Sequence, residues 1–336
     1  MCGEGMDRQT AGFRKKFEAA GKRQGWLQSA SILAAVSGGG DSVALLWLLK
    51  NFYKGKIAAA HIDHCTRNGA SHRDADFVRK LCEKWDIPCF VKEIDVEKEK
   101  QTGESFEMAA RRIRYEYFDE LAAAEKFDFI ALGHNLDDLV ETQLLNLFRG
   151  TGIDGLRGIP EVRGRIVRPV IDFRRDELRK VLSAREISWC EDETNAGNAY
   201  KRNKIRNDLI PWIKENMNAN FEISMAALAR QAAELSAVRS TKAETLLADI
   251  SCENGTALAA WRRNAVKGLA DSDISELFRL QGKKLGLPVL DRKRTEELVR
   301  LAKAGGRWRF QWAADIEVCR TAEGIFWLHR ADAERI

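Results

Sequence analysis

The run Ser31-Ile-Leu-Ala-Ala-Val36 ends directly on Ser37-Gly38-Gly39-Gly40-Asp41-Ser42, and the apolar stretch Val43-Ala-Leu-Leu-Trp-Leu-Leu49 follows at once. A short, continuously apolar run predicts a strand buried on both faces, and the longer stretch after the glycines predicts a helix packed back onto it. Glycines let the backbone turn tightly and let a ligand approach without a side chain in the way. Free N–H groups at the start of the helix then form an anion site, reinforced by the helix dipole. Ser37 and Ser42 add hydroxyl donors. The loop lacks the Lys of G-x-x-x-x-G-K-[ST], and its glycines are not spaced as G-x-G-x-x-G. Asp41 would repel phosphate unless it holds a divalent cation, which favours Mg²⁺ bridging to a pyrophosphate.

The same alternation continues downstream. Strands are predicted at Ile57–Ile62, Pro88–Ile94 and Phe129–Leu132, with helices over 71–85 and 104–125 between them. Strands separated by helices of this length define an α/β fold, a parallel sheet with helices on both faces. Ligands in such sheets sit beyond the carboxyl ends of the strands. Beyond 150 the pattern changes to a glycine-rich connection, then a helical stretch over 221–250. A small α+β region follows, with helices over 272–285 and 291–303 and strands near 308–312, 316–320 and 325–329. The expected organisation is a catalytic domain over 1–215, a helical linker over 216–250 and a small C-terminal domain over 251–336.

Polar residues collect where the strands are expected to end. Gly133-His134-Asn135-Leu136-Asp137-Asp138-Leu139-Val140-Glu141-Thr142 opens a helix, and spacings of three and four gather His134, Asp137, Asp138 and Glu141 on one face. Acids in a first helical turn also compensate the dipole, which is the plainer alternative. The cluster can bind Mg²⁺ or the ammonium of a cationic substrate, whereas a zinc site from His134 and Asp138 lacks a third ligand. His61-Ile62-Asp63-His64 follows the second strand, where it can face a nucleotide or simply cap the loop. On the 104–125 helix, Glu107 and Arg111 form an (i, i+4) pair, and the arginines of Glu107-Met-Ala-Ala-Arg111-Arg112-Ile-Arg114-Tyr115 suit phosphate oxygens. Tyr200-Lys201-Arg202-Asn203-Lys204-Ile205-Arg206-Asn207 is a basic run suited to RNA phosphates, or a solvated helix face.

Charge alone does not separate these readings. The net charge of +5 comes from 55 basic and 50 acidic side chains, but residues 149–214 carry fifteen Lys/Arg against ten Asp/Glu. That local excess suggests a face for an anionic polymer. Seven scattered cysteines with no C-x-x-C argue against a structural zinc or dithiol site and for free thiols in a reducing compartment. The first ten residues have no secretory pattern and no apolar run reaches membrane-spanning length, so a cytoplasmic location is expected.

Together these motifs resemble the N-type ATP pyrophosphatase, or PP-loop, group, and within it the tRNA(Ile)-lysidine synthase family. The resemblance rests on SGGGDS at 37–42, HIDH at 61–64, E-x-x-A-R-R-x-R-Y from Glu107 and the stretch from Gly133 to Ile159. It continues in Arg168-Pro169, Trp189-Cys190-Glu191-Asp192-Glu193-Thr194-Asn195 and Tyr200-x-Arg202-Asn203-x-Ile205-Arg206. It implies a Rossmann-like PP-loop fold and an enzyme that uses ATP and Mg²⁺ to adenylate the wobble cytidine of tRNA(Ile) bearing a CAU anticodon. Free L-lysine then displaces AMP, giving lysidine, with pyrophosphate as the other product. It further implies that Ser37, Gly38, Gly39, Gly40, Ser42 and His61 bind ATP, with Asp41 at the metal. Asp137 and Glu141 would orient the lysine, His134 and Asp138 would support the activated base, and Arg112 would offset charge on the transferred group. Arg149, Arg157, Lys201, Arg202 and Arg206 would meet tRNA phosphates, and the small C-terminal domain would bind tRNA as well. A homodimer is compatible with this reading. A PP-loop tRNA thiolase is the nearest rival, kept open by Cys65, and a non-catalytic nucleotide- or RNA-binding module is the rival from another class.

Overall fold

A computed structural model describes residues 8–63, 70–191, 201–253 and 255–333. His64, Cys65 and the stretch from Asp192 to Tyr200 lie outside the described residues. The chain divides into two compact units between Gln231 and Ala232.

In chain order the first unit carries α1 (Arg8–Gln24), β1 (Ser31–Ala35), α2 (Gly40–Phe52), β2 (Lys56–Asp63), α3 (Ala70–Trp85) and β3 (Cys89–Glu93). It continues with α4 (Val96–Glu99), α5 (Phe106–Ala124), β4 (Phe129–Ala131), α6 (Leu136–Phe148), α7 (Ile153–Leu156), β5 (Val162–Arg163) and β6 (Ile166–Val167). Then come α8 (Arg175–Ser183), α9 (Lys201–Lys204), a π-helical turn at Ile205–Leu209, α10 (Ile210–Asn216) and the start of α11 (Phe221–Ile250). The sheet order is β3-β2-β1-β4-β6-β5, parallel except for the β5–β6 pair. The α/β expectation is met, with a short hairpin at the edge in addition.

Burial explains why the central strands read as unbroken apolar runs. Ile32, Ala34, Val36 and Ala59 join Leu45, Leu46 and Leu49 of α2 and Phe17 and Trp26 in one core. Leu33, Ala58, Ala60 and Ile130 face the other side, against Ala109, Ile113 and Phe118 of α5. A strand covered on both faces keeps its polar residues to its ends, as with Ser31 in β1 and His61 and Asp63 in β2. The chain leaves β1 for β2 in one direction and returns to place β4 on the other side of β1. That reversal opens a crevice at the carboxyl ends of β1 and β4.

The second unit holds most of α11, then β7 (Ser251–Cys252), β8 (Ala259–Arg262), α12 (Asp271–Lys284), α13 (Arg292–Ala304), β9 (Trp308–Gln311), β10 (Ile316–Arg320), β11 (Gly324–His329) and α14 (Arg330–Ala333). Its sheet is antiparallel in the order β7-β8-β11-β10-β9. The core is aromatic: the Trp261 ring lies 4.6 Å from that of Trp327 and 4.9 Å from that of Phe278. The buried Trp261 indole N–H donates to Gln281 at 3.1 Å, so the tryptophan is packed without an unmade bond. The division between the units falls inside the 216–250 stretch read from sequence as a linker.

Candidate active site

The glycine loop is held by its own hydroxyls. Ser42 Oγ donates to the Gly39 carbonyl at 2.8 Å and accepts from the Ser37 N–H at 3.1 Å, and the two serine hydroxyls lie 3.1 Å apart. Gly38 adopts φ +94°, which an L side chain rarely takes, and a Cβ there would stand 3.3 Å from Cys190 Sγ. Cys190 N–H donates to the Gly38 carbonyl at 2.9 Å, so residues 189–190 back the loop. Gly133, at the end of β4, lies so close to the start of α2 that a Cβ would come within 3.1 Å of Ser42 Cα. The two strand ends are thereby brought side by side.

Beside the loop is a cavity of about 350 Å³ lined by Val36, Ser37, Asp41, Ser42, His61, Arg114, Gly133 and His134, among others. A larger open cleft at Gln28, Asp128 and Phe129 sits at the amino end of the strands and holds none of the motif residues. His61 is buried, and its Nδ1 donates to the Val36 carbonyl at 2.7 Å, since a carbonyl can only accept. Nε2 is then an acceptor, buried and without a hydrogen-bond partner among the described residues. Burial lowers the His61 pKa despite that hydrogen bond. His134 is pushed down to about 3, first by burial and then by Arg168 and other arginines, and stays neutral near pH 7. Arg168 Nε donates to His134 Nδ1 at 3.2 Å, which places the imidazole proton on Nε2.

The acidic helix start performs two tasks at once. Asn135 and Asp138 form a reciprocal capping box on α6, Asn135 Oδ1 accepting from Asp138 N–H at 3.0 Å and Asp138 Oδ2 accepting from Asn135 N–H at 3.2 Å. The plainer alternative is therefore realised for one oxygen of Asp138. The other oxygen accepts from Arg175 at 3.0 Å and Arg202 at 3.2 Å. Glu141 is fully buried and takes hydrogen bonds of 2.6 Å from Arg202 Nε and 2.6 Å from Arg206 Nε. Burial pushes the Asp41 and Asp138 carboxyls up, with Arg175 opposing the rise in both. Burial would also raise Glu141, but the hydrogen bonds from Arg206 and Arg202 outweigh it and hold that carboxyl below its ordinary value.

Several expected residues take other positions. Arg202 and Arg206, anticipated at tRNA phosphates, have their guanidiniums turned onto Glu141 and Asp138, because a buried carboxylate draws the nearest cations. Arg112 is bound by Glu104 at 3.0 Å and Glu116 at 3.0 Å and does not line the cavity; Arg114, two positions on, does. A helix turns 200° in two residues, so the arginine facing the site could not be chosen from the run alone. Arg111 stacks on Tyr115, 5.2 Å from the ring centre, with Arg163 at 4.7 Å. Of the two acids expected to meet an ammonium, Asp137 keeps partial exposure while Glu141 has none. Lys201 and Arg149 are exposed, and Arg157 is half-buried. Elsewhere, ligand atoms of Asp63, His72 and Glu93 lie within 4.8 Å of one another, with Asp63 and His72 in direct contact.

A glycine loop between a parallel strand and a helix, at a crevice where strand order reverses, defines a doubly wound α/β nucleotide-binding fold. The PP-loop domain model matches residues 9–213, more than half of the chain, and the chain belongs to that family. It is similar to the tRNA(Ile)-lysidine synthase of Clostridium acetobutylicum, 43% identical over 201 residues that make up 58% of this chain and 43% of the relative. It is also similar to that of Chlorobaculum tepidum, 39% identical over 61% of this chain and 63% of the relative. The chain thus spans from under half to under two thirds of the length of these curated relatives. Among solved structures it resembles a U34-tRNA thiolase of Methanococcus maripaludis, solved with its 4Fe-4S cluster. The TM-score there is 0.58 at 18% identity, over 67% of this chain and 79% of that one, a likeness of fold.

Proposed function

We propose that this protein is an ATP-dependent tRNA(Ile)-lysidine synthase. The observation that carries the reading is the junction of the glycine loop, the 350 Å³ cavity and the acidic start of α6 at neighbouring strand ends. ATP lies in the cavity with its pyrophosphate on the Ser37–Ser42 loop, and His61 Nε2 accepts a hydrogen bond from the nucleoside. O2 of the wobble cytidine in the CAU anticodon attacks the α-phosphorus, and pyrophosphate leaves. The ε-amine of lysine then adds at C2, the C2–O bond to AMP breaks, and the amine gives up its proton. Arg114 faces the charge that develops during transfer, the role expected of Arg112. Neutral His134 offers an Nε2 donor to the activated base, while Asp137 holds the lysine ammonium. Glu141 acts through Arg202 and Arg206 rather than on the lysine itself.

Asp41 fits a magnesium ligand, because its Oδ1 is buried and has no hydrogen-bond partner among the described residues. Hard carboxylate oxygens suit Mg²⁺, which when bound neutralises pyrophosphate charge. Arg149, Arg157 and Lys201 are the candidates for tRNA phosphates in the first unit. In the second, Arg263, Lys267, Lys303 and Arg320 line one basic cleft suited to the same polyanion. No helix among the described residues is long and apolar enough to cross a membrane, which accords with a cytoplasmic site of action. A homodimer is compatible with this scheme. Against the thiolase reading, the cysteine nearest the loop among the described residues, Cys190, has its thiol pushed up to about 12 by burial and by Asp74. A thiol that stays protonated makes a poor sulfur carrier.

Incubation with ATP, Mg²⁺, labelled lysine and CAU-anticodon tRNA(Ile) tests the reading. Equal yields of AMP and lysine-labelled tRNA are expected, and Asp41→Ala should abolish both. AMP formation with sulfur transfer and no lysine dependence would replace the proposal with thiolation. No AMP with any tRNA would remove the enzyme altogether.

A further inference from the structure

Arg175 belongs to none of the sequence motifs, yet its guanidinium joins two of them. Nε lies 3.4 Å from Asp41 Oδ2 on the pyrophosphate loop, Nη2 lies 3.0 Å from Asp138 Oδ1, and Nη1 lies 3.6 Å from Glu141 Oε1 on α6. Its own backbone N–H donates to Asp137 Oδ2 at 2.8 Å. One residue thus touches all four acids of the site. It stands at the first position of α8, a helix packed on α2 through Leu178, Val181 and Leu182 in the same core as Leu45, Leu46 and Leu49. The guanidinium therefore sits on a rigid support, with only 16% of the side chain exposed.

Arg202 and Arg206 neutralise Asp138 and Glu141 from the 201–209 segment, but the guanidinium that also reaches Asp41 is that of Arg175. Asp41 and Asp138 come from different elements and repel one another across the crevice. A planar fork with several donors can bind carboxylates on both sides at once, which the point charge of a lysine cannot do. We propose that Arg175 is a positioning residue that holds the pyrophosphate loop and the acidic helix start at the separation the transfer step requires. The catalytic part of this inference rests on the lysidine-synthase reading; the bridge between the two elements does not.

Two measurements test it. In AMP formation, Arg175→Ala should lower kcat by about 100-fold, the effect of an ångström-scale misplacement. KM for ATP should change by less than about threefold, because the backbone donors of the glycine loop and His61 remain in place. Arg175→Lys should recover about tenfold of the lost kcat by restoring the charge without the fork. The second measurement needs no substrate: a double-mutant cycle on the thermal midpoint. Asp138→Asn should lower the midpoint of the parent protein, where it removes a partner of Arg175 and Arg202. In the Arg175→Ala background the loss should be smaller, because the Arg175 contact is already gone and one of two opposed carboxylates is removed. Additive losses in that cycle, or a kcat in Arg175→Lys restored fully to that of the parent, would overturn the proposal. If the parent protein forms no AMP with tRNA and lysine, the functional reading falls while the melting cycle still decides whether Arg175 bridges.

Discussion

The glycine loop and the acidic start of α6 lie at adjacent ends of one sheet, yet they are built on different principles. The loop is held mostly by near neighbours: Ser37, Gly39 and Ser42 exchange hydrogen bonds within six residues, and Cys190 N–H and Arg175 add contacts from further along the chain. The acidic helix start depends on distant chain. Asp138 and Glu141 draw on Arg175, Arg202 and Arg206, which lie 34 to 68 positions further along. The difference shows which kind of site survives local change. A loop held mainly by its own hydrogen bonds is less exposed to changes elsewhere in the chain, whereas a charge network is weakened by the loss of any contributor.

The largest effect is expected in the network. Glu141→Ala leaves the partly exposed Arg202 and Arg206 without their main acceptor, and should cost about 1.5–3 kcal/mol of stability by urea unfolding. A loss below 1 kcal/mol would mean that the arginines find water instead, and that the network is a surface feature. The same residue governs acid sensitivity. Its folded-state pKa lies below the ordinary value, so its contribution is complete above about pH 4.3 and is lost as pH falls through the lower folded value. Melting curves taken from neutral to acid pH should show that limb in the parent protein and lack it in Glu141→Gln.

Gly38→Ala probes the loop and should have an intermediate effect. The positive φ and the nearby Cys190 thiol together should cost about 1–2 kcal/mol, with a matching drop in ATP affinity. Unchanged stability with unchanged ATP binding would show that the loop's conformation is not imposed by its glycine. Smallest of all should be Arg112→Ala, whose side chain is occupied by Glu104 and Glu116 away from the cavity. Its turnover should stay within about twofold of the parent, whereas Arg114→Ala should lose on the order of 100-fold by analogy with other transition-state donors. The reverse ranking would return the catalytic role to Arg112.

Much of the fold was legible because local signals agreed. The runs 31–36, 57–62 and 129–132 are apolar on both faces, and all three are strands of the parallel sheet. The helix over 221–250 and the three C-terminal strands also emerged close to their expected places. What escaped notice had weak local pattern. The β5–β6 hairpin has two residues in each strand, and α1 and α8 mix charged and apolar residues with no motif to mark them. In the site, the acids of α6 were visible by their spacing, and Arg202 and Arg206 were noticed but matched to an external polyanion. The (i, i+4) spacing of those two arginines on one helical face was the available sign that both serve a single internal acid. Arg175 offered only its position, directly after Arg174 and before two acids at a helix start.

The sequence by itself determined the strand–glycine–helix turn and the parallel pairing of the sheet's main strands. Each follows from residues within a few positions of one another, where backbone sterics and burial act directly. Tertiary structure decided which arginine faces the cavity, which acid remains exposed and which cations balance the charges of the site. Those outcomes rest on charge pairing between segments far apart in the chain. Burial makes an unpaired carboxylate too costly to leave alone, so the fold settles on whichever guanidinium its packing can deliver.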